Sequence, residues 1–200
     1  LPLSRGLGDV YKRQHLRSSA LVVAAEPDRV VEVDALTDDT HVNRLWGLDG
    51  SAGVDVEPAW ADAAGAATVV VGVIDSGVDT DHPDLASVMW ANPGEIAGNG
   101  LDDDDNGYVD DIRGWDWVDD DNDPDDPNGH GTHVAGTIAA VQNNAEGVAG
   151  VATNVEIMAL RFLNASGSGY TSDAIAALSY ALDLGVTVTN NSWGGGSYSW

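Results

Sequence analysis

The sequence predicts an α/β fold built on a doubly wound parallel sheet. Apolar strand-like runs alternate with helical patterns along the chain, which is the order expected when helices connect parallel strands. The run Thr68–Ile74 is apolar without interruption, as suits a strand that is buried on both faces of such a sheet. Polar residues directly follow two of the strand-like runs, at Asp75 and Asn191. Because ligands bind at the carboxyl ends of parallel strands, we expect a functional site there.

The elements follow one another in a regular order. Pro58 stands at the start of a first helical segment, where its missing N–H is harmless. After the strand at Thr68–Ile74, the patterns predict a helix, a strand, a helix and a strand: Gly131–Val141, Val155–Phe162, Ser172–Leu184 and Val186–Asn190. In the second of these helices Ile175, Leu178 and Leu182 share one face, and Gly185 ends the helix.

Composition restricts the kinds of partner. The chain has 200 residues and a formal net charge of −25, and thirteen aspartates lie between positions 102 and 126 with Arg113 as the single basic residue among them. Such a surface repels a phosphate backbone, so nucleic acid is not an expected partner. No apolar run approaches the ~18 residues that span a bilayer. Without cysteine, the chain has neither disulfide nor thiol chemistry.

Two short motifs carry the chemistry. The run Val70–Val78 ends its apolar strand on Asp75, and the run Asn128–Thr137 places His130 between two glycines at the start of a helical pattern. An imidazole can take the proton of a serine hydroxyl, and a carboxylate can hold that imidazole in the right tautomer. Taken alone, Asp75 is better explained as a strand-end residue that caps the following turn. The histidine motif downstream favours the catalytic interpretation.

Of the two histidines in that motif, His130 is the expected base. The flanking Gly129 and Gly131 let backbone approach closely and let the ring face a cleft, whereas His133 lies one turn further on and is expected to be packed. Two histidines three residues apart can also hold zinc on one helix face. No acidic residue lies between the two histidines or soon after them, and the chain has no cysteine, so zinc is the minor alternative.

Together with the later segment Asn190-Asn-Ser-Trp-Gly194, these motifs resemble those of the subtilases, the subtilisin-like serine peptidases. The resemblance covers positions 41–200 and implies the N-terminal part of a peptidase domain, with Asp75 as the orienting carboxylate and His130 as the base. The family's nucleophilic serine lies in a Gly-Thr-Ser-x-Ala-x-Pro segment, and none occurs in these 200 residues. We therefore expect a subtilisin-like sheet that is incomplete at its carboxyl terminus, and a chain that is inactive by itself.

Ser192 is the only serine in a motif that resembles the family. Its surroundings lack the Gly-x-Ser-x-Gly elbow that projects a nucleophilic hydroxyl. In the family the matching stretch pairs with the substrate backbone and lines the primary specificity pocket, so the resemblance assigns Ser192, Trp193 and Gly194 to substrate binding. A plain junction between strand and loop is the alternative. The family's oxyanion asparagine is expected beyond Trp200.

The acidic segment predicts a calcium site. Asp102, Asp104, Asn106 and Asp110 follow a D-x-D-x-N-G-x-x-D pattern, in which alternate oxygen donors point to one side of a turning loop. Arg113 stands where an EF-hand has its closing glutamate, so the loop lacks that bidentate ligand. Hard oxygen ligands in this number suit calcium better than zinc or copper. A solvated acidic loop is the alternative, but uncompensated carboxylates at this density destabilise a compact loop.

Two further calcium sites are implied by the resemblance. One, similar to a site of thermitase-like subtilases, would use five aspartates of the stretch that ends just before His130: Asp116, Asp119, Asp121, Asp123 and Asp125. The other would use Asp84, from the motif His82-Pro-Asp-Leu85, and Asn144, from the loop Gln142–Val148. Calcium is accordingly the implied cofactor.

The first 40 positions do not match the peptidase domain. Positions 1–14 show neither helical nor strand periodicity and are predicted to be a non-native or disordered end. Positions 15–40 contain two strand-like runs, which are either the remnant of an inhibitory propeptide or an ordinary strand pair.

The resemblance implies a secreted, calcium-stabilised serine endopeptidase that acts on polypeptide substrates and has its own propeptide as a further partner. Neither nucleic acid nor a membrane is an expected partner. The competing class is a catalytically inactive calcium-binding adhesion or scaffold module on the same fold. It explains the acidic loops and the missing serine equally well, and the residue at the serine position of the following sequence separates the two.

Overall fold

Four parallel strands form one sheet in the computed structural model, which describes residues 37–48 and 53–195. The strands are β1 (Val69–Asp75), β2 (Gly114–Asp116), β3 (Val155–Arg161) and β4 (Val188–Asn190), and their order in the sheet is β2-β3-β1-β4. Strands β3 and β4 both pair in parallel with β1, and β2 pairs in parallel with β3. The predicted parallel sheet is therefore confirmed, and β1 is one of its interior strands.

No sequence pattern predicts strand β2. It has three residues, Gly114–Asp116, and is too short to show the alternation that marks a strand. All three residues are buried. The strand brings an acidic residue beside a basic one, because its last residue, Asp116, is the register partner of Arg161 at the end of β3.

The described residues form three α-helices, α1 (Glu57–Ala63), α2 (His130–Ala139) and α3 (Thr171–Asp183), and the last two cover opposite faces of the sheet. Helix α2 belongs to the hydrophobic core that contains Val73 and Ile157. Helix α3 belongs to the core that contains Ile74 and Met158, on the opposite face. Successive residues of β1 and β3 therefore point into different cores, and this confirms the doubly wound arrangement.

The side of helix α3 that packs against the sheet is not the side that carries its large apolar residues. Ile175, Leu178 and Leu182 are 60%, 49% and 70% exposed. The buried side consists of small residues and one tyrosine: Ala174, Ala177, Tyr180 and Ala181. Both sets recur at helical spacing, so periodicity does not discriminate between them. Small side chains allow the helix to lie close to the sheet, and the described sheet contacts that side.

The described N-terminal segment adds a third, smaller core. Leu48 and Val56 pack there with Ala149, and Pro58 is the second residue of α1. Positions 1–14, together with positions 15–36 of the proposed propeptide remnant, lie outside the described residues. Within residues 37–48 and 53–195, no helix combines the length and the apolar character needed to cross a bilayer.

Candidate active site

A carboxylate and an imidazole meet at the carboxyl edge of the sheet. Asp75 is the last residue of β1 and is fully buried, and His130 is the first residue of α2. His130 Nδ1 lies 2.7 Å from Asp75 Oδ1, and the histidine side chain is 49% exposed. The buried carboxylate favours the tautomer with its proton on Nδ1, which leaves Nε2 able to accept a proton. The arrangement can therefore serve as a general base.

Glycines on both sides of this contact allow α2 to approach β1. A Cβ atom on Gly131 would lie 2.0 Å from the carbonyl oxygen of Gly77 and 3.1 Å from Asp75 Cβ. Gly77 has a φ of +105°, and a Cβ atom there would lie 2.5 Å from the carbonyl oxygen of Asp125. A side chain at position 131 would move the helix away from the strand, and with it the imidazole from the carboxylate, whereas one at position 77 would displace the loop that contains Asp125.

Asp126 belongs to this site although no motif assigns it. Its carboxylate accepts hydrogen bonds from the amide nitrogens of Gly129 and Thr132, at 2.9 and 2.8 Å, which are among the unpaired donors at the start of α2. Burial raises the pKa of Asp126, but the hydrogen bonds from Thr132, Gly129 and Ser76 outweigh it and hold the pKa below its usual value. The sequence signal was an aspartate in the turn that precedes a helix, a residue type that caps helix starts.

The residues assigned to substrate binding follow β4 at the same edge. Trp193 Nε1 donates a hydrogen bond to the carbonyl oxygen of Ile74 at 2.9 Å. Its ring also packs edge-on against Phe162, with the ring centroids 4.9 Å apart. Ser192 and Gly194 are exposed on either side of it. These contacts hold the segment beside the strand that ends in Asp75.

The hydroxyl of Ser192 is not directed at the imidazole. Ser192 Oγ donates a hydrogen bond to Asn190 Oδ1 at 2.7 Å. Among the residues that the structure describes, the ring of His130 hydrogen-bonds to Asp75 alone. That part of the chain brings the base and the carboxylate together and brings no hydroxyl to Nε2.

His133 is exposed, so the expectation that it is packed is wrong. The inner side of α2 is formed by Gly131, Ala135 and Ala139, and residue 133 lies on the outer side. There it lines a cavity of about 830 Å³ together with Leu48, among other residues. Across residues 37–48 and 53–195, no group of three potential metal ligands includes His130 or His133.

Three carboxylates converge in the acidic segment. Glu95, Asp104 and Asp111 each offer an oxygen atom within 4.8 Å of the other two. Asp111 is fully buried, and Asn92 Nδ2 donates to Asp104 and to Asp111, at 3.0 and 2.8 Å. Tyr180 donates its hydroxyl to Asp111, and burial together with this carboxylate raises the pKa of Tyr180. In the described part of the chain no lysine or arginine forms an ion pair with the three carboxylates.

Of the four residues in the D-x-D-x-N-G-x-x-D pattern, Asp104 alone belongs to this group. Asp102 accepts hydrogen bonds from two backbone amides of its own loop, at 3.1 and 2.8 Å. Asp110 accepts from two amides of the preceding loop, also at 3.1 and 2.8 Å. Asn106 donates from Nδ2 to Asp111 at 2.9 Å. The pattern therefore builds the loop, and two carboxylates outside the pattern complete the group.

In the next acidic stretch, Asp116 and Asp119 face a cation that belongs to the protein. Arg161 forms an ion pair with the fully buried Asp116, and its Nη1 lies 3.2 Å from Asp119 Oδ2. Burial raises the pKa of Asp116, although the amide of Val118 and the Arg161 guanidinium both oppose the rise. No sequence motif connects Arg161 with these aspartates.

The other three aspartates of that stretch are exposed. Asp121 accepts a hydrogen bond from the amide of Asp123 at 3.1 Å. Although Asp125 is exposed as a residue, desolvation of its carboxyl group raises its pKa, and the carboxylates of Asp79, Asp123 and Asp126 raise it further. Within the described residues, the five aspartates of the stretch do not converge as Glu95, Asp104 and Asp111 do.

Asp84 and Asn144 lie in contact. Asn144 Nδ2 donates to Asp84 Oδ1 at 2.8 Å, and the amide of Val148 donates to Asp84 Oδ2 at 2.9 Å. Asp39, which no motif assigns, is buried beside the same loop and accepts from the amide of Asn144 at 3.1 Å. Two buried carboxylates and a side-chain amide thus share this loop, and its backbone amides partly satisfy both carboxylates.

Several known proteins are similar to this chain in sequence. A model of the subtilase family matches residues 66–200. A thermophilic serine proteinase of Bacillus sp. (strain AK1) is 38% identical over 179 residues, which cover 90% of this chain and 39% of that protein. Thermitase of Thermoactinomyces vulgaris is 38% identical over 142 residues, which cover 71% of this chain and 43% of thermitase. The chain thus spans about two fifths of these two relatives. A solved cold adapted subtilisin-like serine proteinase is 35% identical, with a TM-score of 0.46 over 66% of this chain and 39% of that chain.

Proposed function

This chain belongs to the subtilase family, and we propose that it carries the general base and the orienting carboxylate of a serine endopeptidase. The observation that carries the proposal is the 2.7 Å contact between His130 Nδ1 and Asp75 Oδ1. A half-exposed imidazole held by a fully buried carboxylate is suited to repeated proton transfer with a substrate in a cleft.

In this mechanism the imidazole of His130 accepts the proton of a serine hydroxyl at Nε2, because Nδ1 is engaged by Asp75. The serine oxygen attacks the peptide carbonyl, and the Asp75 carboxylate stabilises the imidazolium that forms. His130 then returns the proton to the leaving amine, and a water molecule releases the acyl group by the same route. Since residues 1–200 contain no Gly-Thr-Ser-x-Ala-x-Pro segment, we propose that sequence outside them supplies the serine.

The proposed substrate is an extended polypeptide. Residues Ser192–Gly194 are exposed and follow β4, which pairs with β1 on one side, so an extended peptide can pair with this segment as an added strand. The hydrogen bond from Trp193 to Ile74 keeps the segment beside the catalytic pair. The chain's own propeptide is a second proposed partner, and secretion is the proposed location.

We further propose that calcium stabilises the acidic segment through Glu95, Asp104 and Asp111. The donor set fits a hard cation, because three carboxylates converge, one of them fully buried, and the groups that donate to them are neutral: backbone amides at Glu95, and chiefly side-chain amides and a hydroxyl at Asp104 and Asp111. When bound, the ion supplies the positive charge that offsets repulsion among these carboxylates. Asp39, Asp84 and Asn144 are a second candidate set. The stretch from Asp116 to Asp125 has less need of an ion, since Arg161 already pairs with two of its aspartates.

Active-site labelling tests the catalytic proposal. In the full-length gene product, a serine-directed fluorophosphonate should label one serine outside residues 1–200. The His130→Ala variant should lower kcat by about 10⁶ and Asp75→Asn by about 10⁴, the sizes found for such changes in serine proteases. Residues 1–200 alone should neither hydrolyse peptides nor react with the probe. Labelling of Ser192 in that chain would contradict the assignment of the site. Asp120→Asn, an exposed aspartate outside every site described, is the matched control.

A catalytically inactive calcium-binding adhesion or scaffold module is the second candidate function. The observation that is compatible with it is the group of converging carboxylates, Glu95, Asp104 and Asp111, which would bind an ion whether or not the chain is catalytic. A residue other than serine at that position of the full-length sequence, with calcium binding retained, would support the module over the peptidase.

A further inference from the structure

We propose that Asp126 is a positioning residue that holds His130 against Asp75 by joining the start of α2 to the end of β1. The inference rests on the proposed catalytic pair and adds a residue to it. Asp126 is half-buried and lies four positions before the histidine. Its carboxylate accepts hydrogen bonds from the first turn of α2 and from Ser76, the residue that follows β1.

On the helix side, Asp126 takes the place of a missing cap. The residue at the N-cap position, Gly129, has no side chain to bond the first amides of α2. Asp126 Oδ1 accepts from the amide of Gly129 at 2.9 Å, and Oδ2 accepts from the amide and the hydroxyl of Thr132 at 2.8 and 2.7 Å. His130 lies between these two anchored residues. The negative charge at the start of the helix is also favoured by the helix dipole.

On the strand side, Asp126 is bonded to the residue that follows Asp75. Ser76 Oγ donates to Asp126 Oδ1 at 2.8 Å and accepts from the amide of Gly131 at 3.0 Å. The amide of Ser76 donates to Asp75 Oδ1 at 2.7 Å, the same oxygen that contacts His130. A short chain of hydrogen bonds therefore leads from Asp126 through Ser76 to the catalytic carboxylate.

A second connection links the two elements further along. Thr132 Oγ1, which donates to Asp126, accepts from the amide of Asp79 at 2.9 Å. The loop after β1 is thus bonded to the first turn of α2 at Ser76 and again at Asp79. Because catalysis by a base is sensitive to displacements of about 1 Å, removal of the group that both connections share should affect the chemical step.

The carboxylate is held by hydrogen-bond donors and not by a basic side chain. In the described part of the chain no lysine or arginine lies within ion-pair distance of Asp126. Five donor groups surround it, four of them named above and the fifth the amide of Asn128 at 3.0 Å. Asparagine can keep the contacts of Oδ1 but cannot accept from Thr132 at the other position. The variants Asp126→Asn and Asp126→Ala therefore remove successively more of these hydrogen bonds.

The first test uses the chain of residues 1–200 and needs no activity. In proton NMR spectra, the low-field resonance of the hydrogen-bonded Nδ1–H of His130 should be visible in the wild type and in Asp120→Asn. It should be broadened or lost in Asp126→Ala and partly restored in Asp126→Asn. A wild-type resonance that Asp126→Ala leaves unchanged would overturn the positioning role alone. A wild type without the resonance would overturn both this inference and the proposed catalytic pair.

The second test uses the full-length peptidase with calcium held constant. Asp126→Ala should lower kcat by about 10–100-fold and leave KM within about twofold, since substrate contacts are made elsewhere. If Asp126 contributed to stability alone, Asp126→Ala would lower the melting temperature but would not lower kcat at constant KM. If Asp126→Ala does not fold, Thr132→Val keeps the carboxylate and removes two of the connecting hydrogen bonds. An unchanged kcat in Thr132→Val would then overturn the proposal.

Discussion

Two groups of carboxylates in the same acidic segment are balanced in different ways. Asp116 and Asp119 face the guanidinium of Arg161, which comes from the end of β3. Glu95, Asp104 and Asp111 face one another, and the groups that donate to Asp104 and Asp111 include neutral amides and a hydroxyl. The first group is partly neutralised by the fold itself, whereas no basic side chain of the described residues forms an ion pair with the second. A bound cation therefore has more to contribute at the second group than at the first.

The largest expected effect comes from removing the cation of the first group. Arg161→Met should destabilise the protein by about 3–5 kcal/mol in the presence of a chelator, because it leaves the fully buried Asp116 without its partner. Urea unfolding measures the loss, and Arg161→Lys should lose less because it retains the charge. A loss below about 1 kcal/mol would show that the two groups do not differ as described.

A smaller effect is expected from supplying a cation to the second group. Calcium at about 100 times its dissociation constant should raise the free energy of unfolding of the wild type by about 2.7 kcal/mol. Glu95→Gln removes one of the three charges and should reduce this gain, whereas Asp120→Asn should preserve it. Thermal unfolding with calcium and with chelator gives the comparison. An equal gain in Glu95→Gln and in the wild type would place the ion elsewhere.

The smallest effect is expected at Asp125, an exposed member of the stretch that contains the first group. Desolvation of its carboxyl group and neighbouring carboxylates raise its pKa, so its ionised form destabilises the folded state at neutral pH. That penalty disappears as the pH falls below the ordinary pKa of an aspartate, where the group is protonated in both states. Because solvent screens the charge of an exposed carboxylate, Asp125→Asn should stabilise the protein by no more than about 0.5 kcal/mol at pH 7 with chelator. The gain should vanish in acid, and a destabilisation that appears only with calcium would identify Asp125 as a ligand.

Much of the fold could be predicted because its signals are local. The apolar run before Asp75 and the helix that begins near His130 are marked by neighbouring residues, and their predicted bounds differ from the observed ones by two residues or fewer. The packing side of α3 could not be predicted, since its alanine side and its leucine side have the same period. Strand β2 could not be predicted because three residues are too few to show the alternation of a strand.

The residues of the candidate site also fall into two groups, those that a local motif marks and those that no motif marks. Asp75 and His130 stand in motifs whose residue types express their chemistry, so the sequence marks both as candidates. Asp126, Glu95 and Asp39 stand in no such motif. Their contacts join them to Ser76, Asp104 and Asn144, and no spacing rule connects residues that meet only after folding.

Periodicity, glycine placement and residue type act over a few neighbouring positions, so they suffice to predict the fold class, the candidate pair of Asp75 and His130, and the acidity of the segment before α2. Only the folded molecule shows which carboxylates face a guanidinium, which face one another and which one anchors the helix of His130. Those outcomes depend on where the ends of separate strands and loops come to lie when the two faces of the sheet are packed.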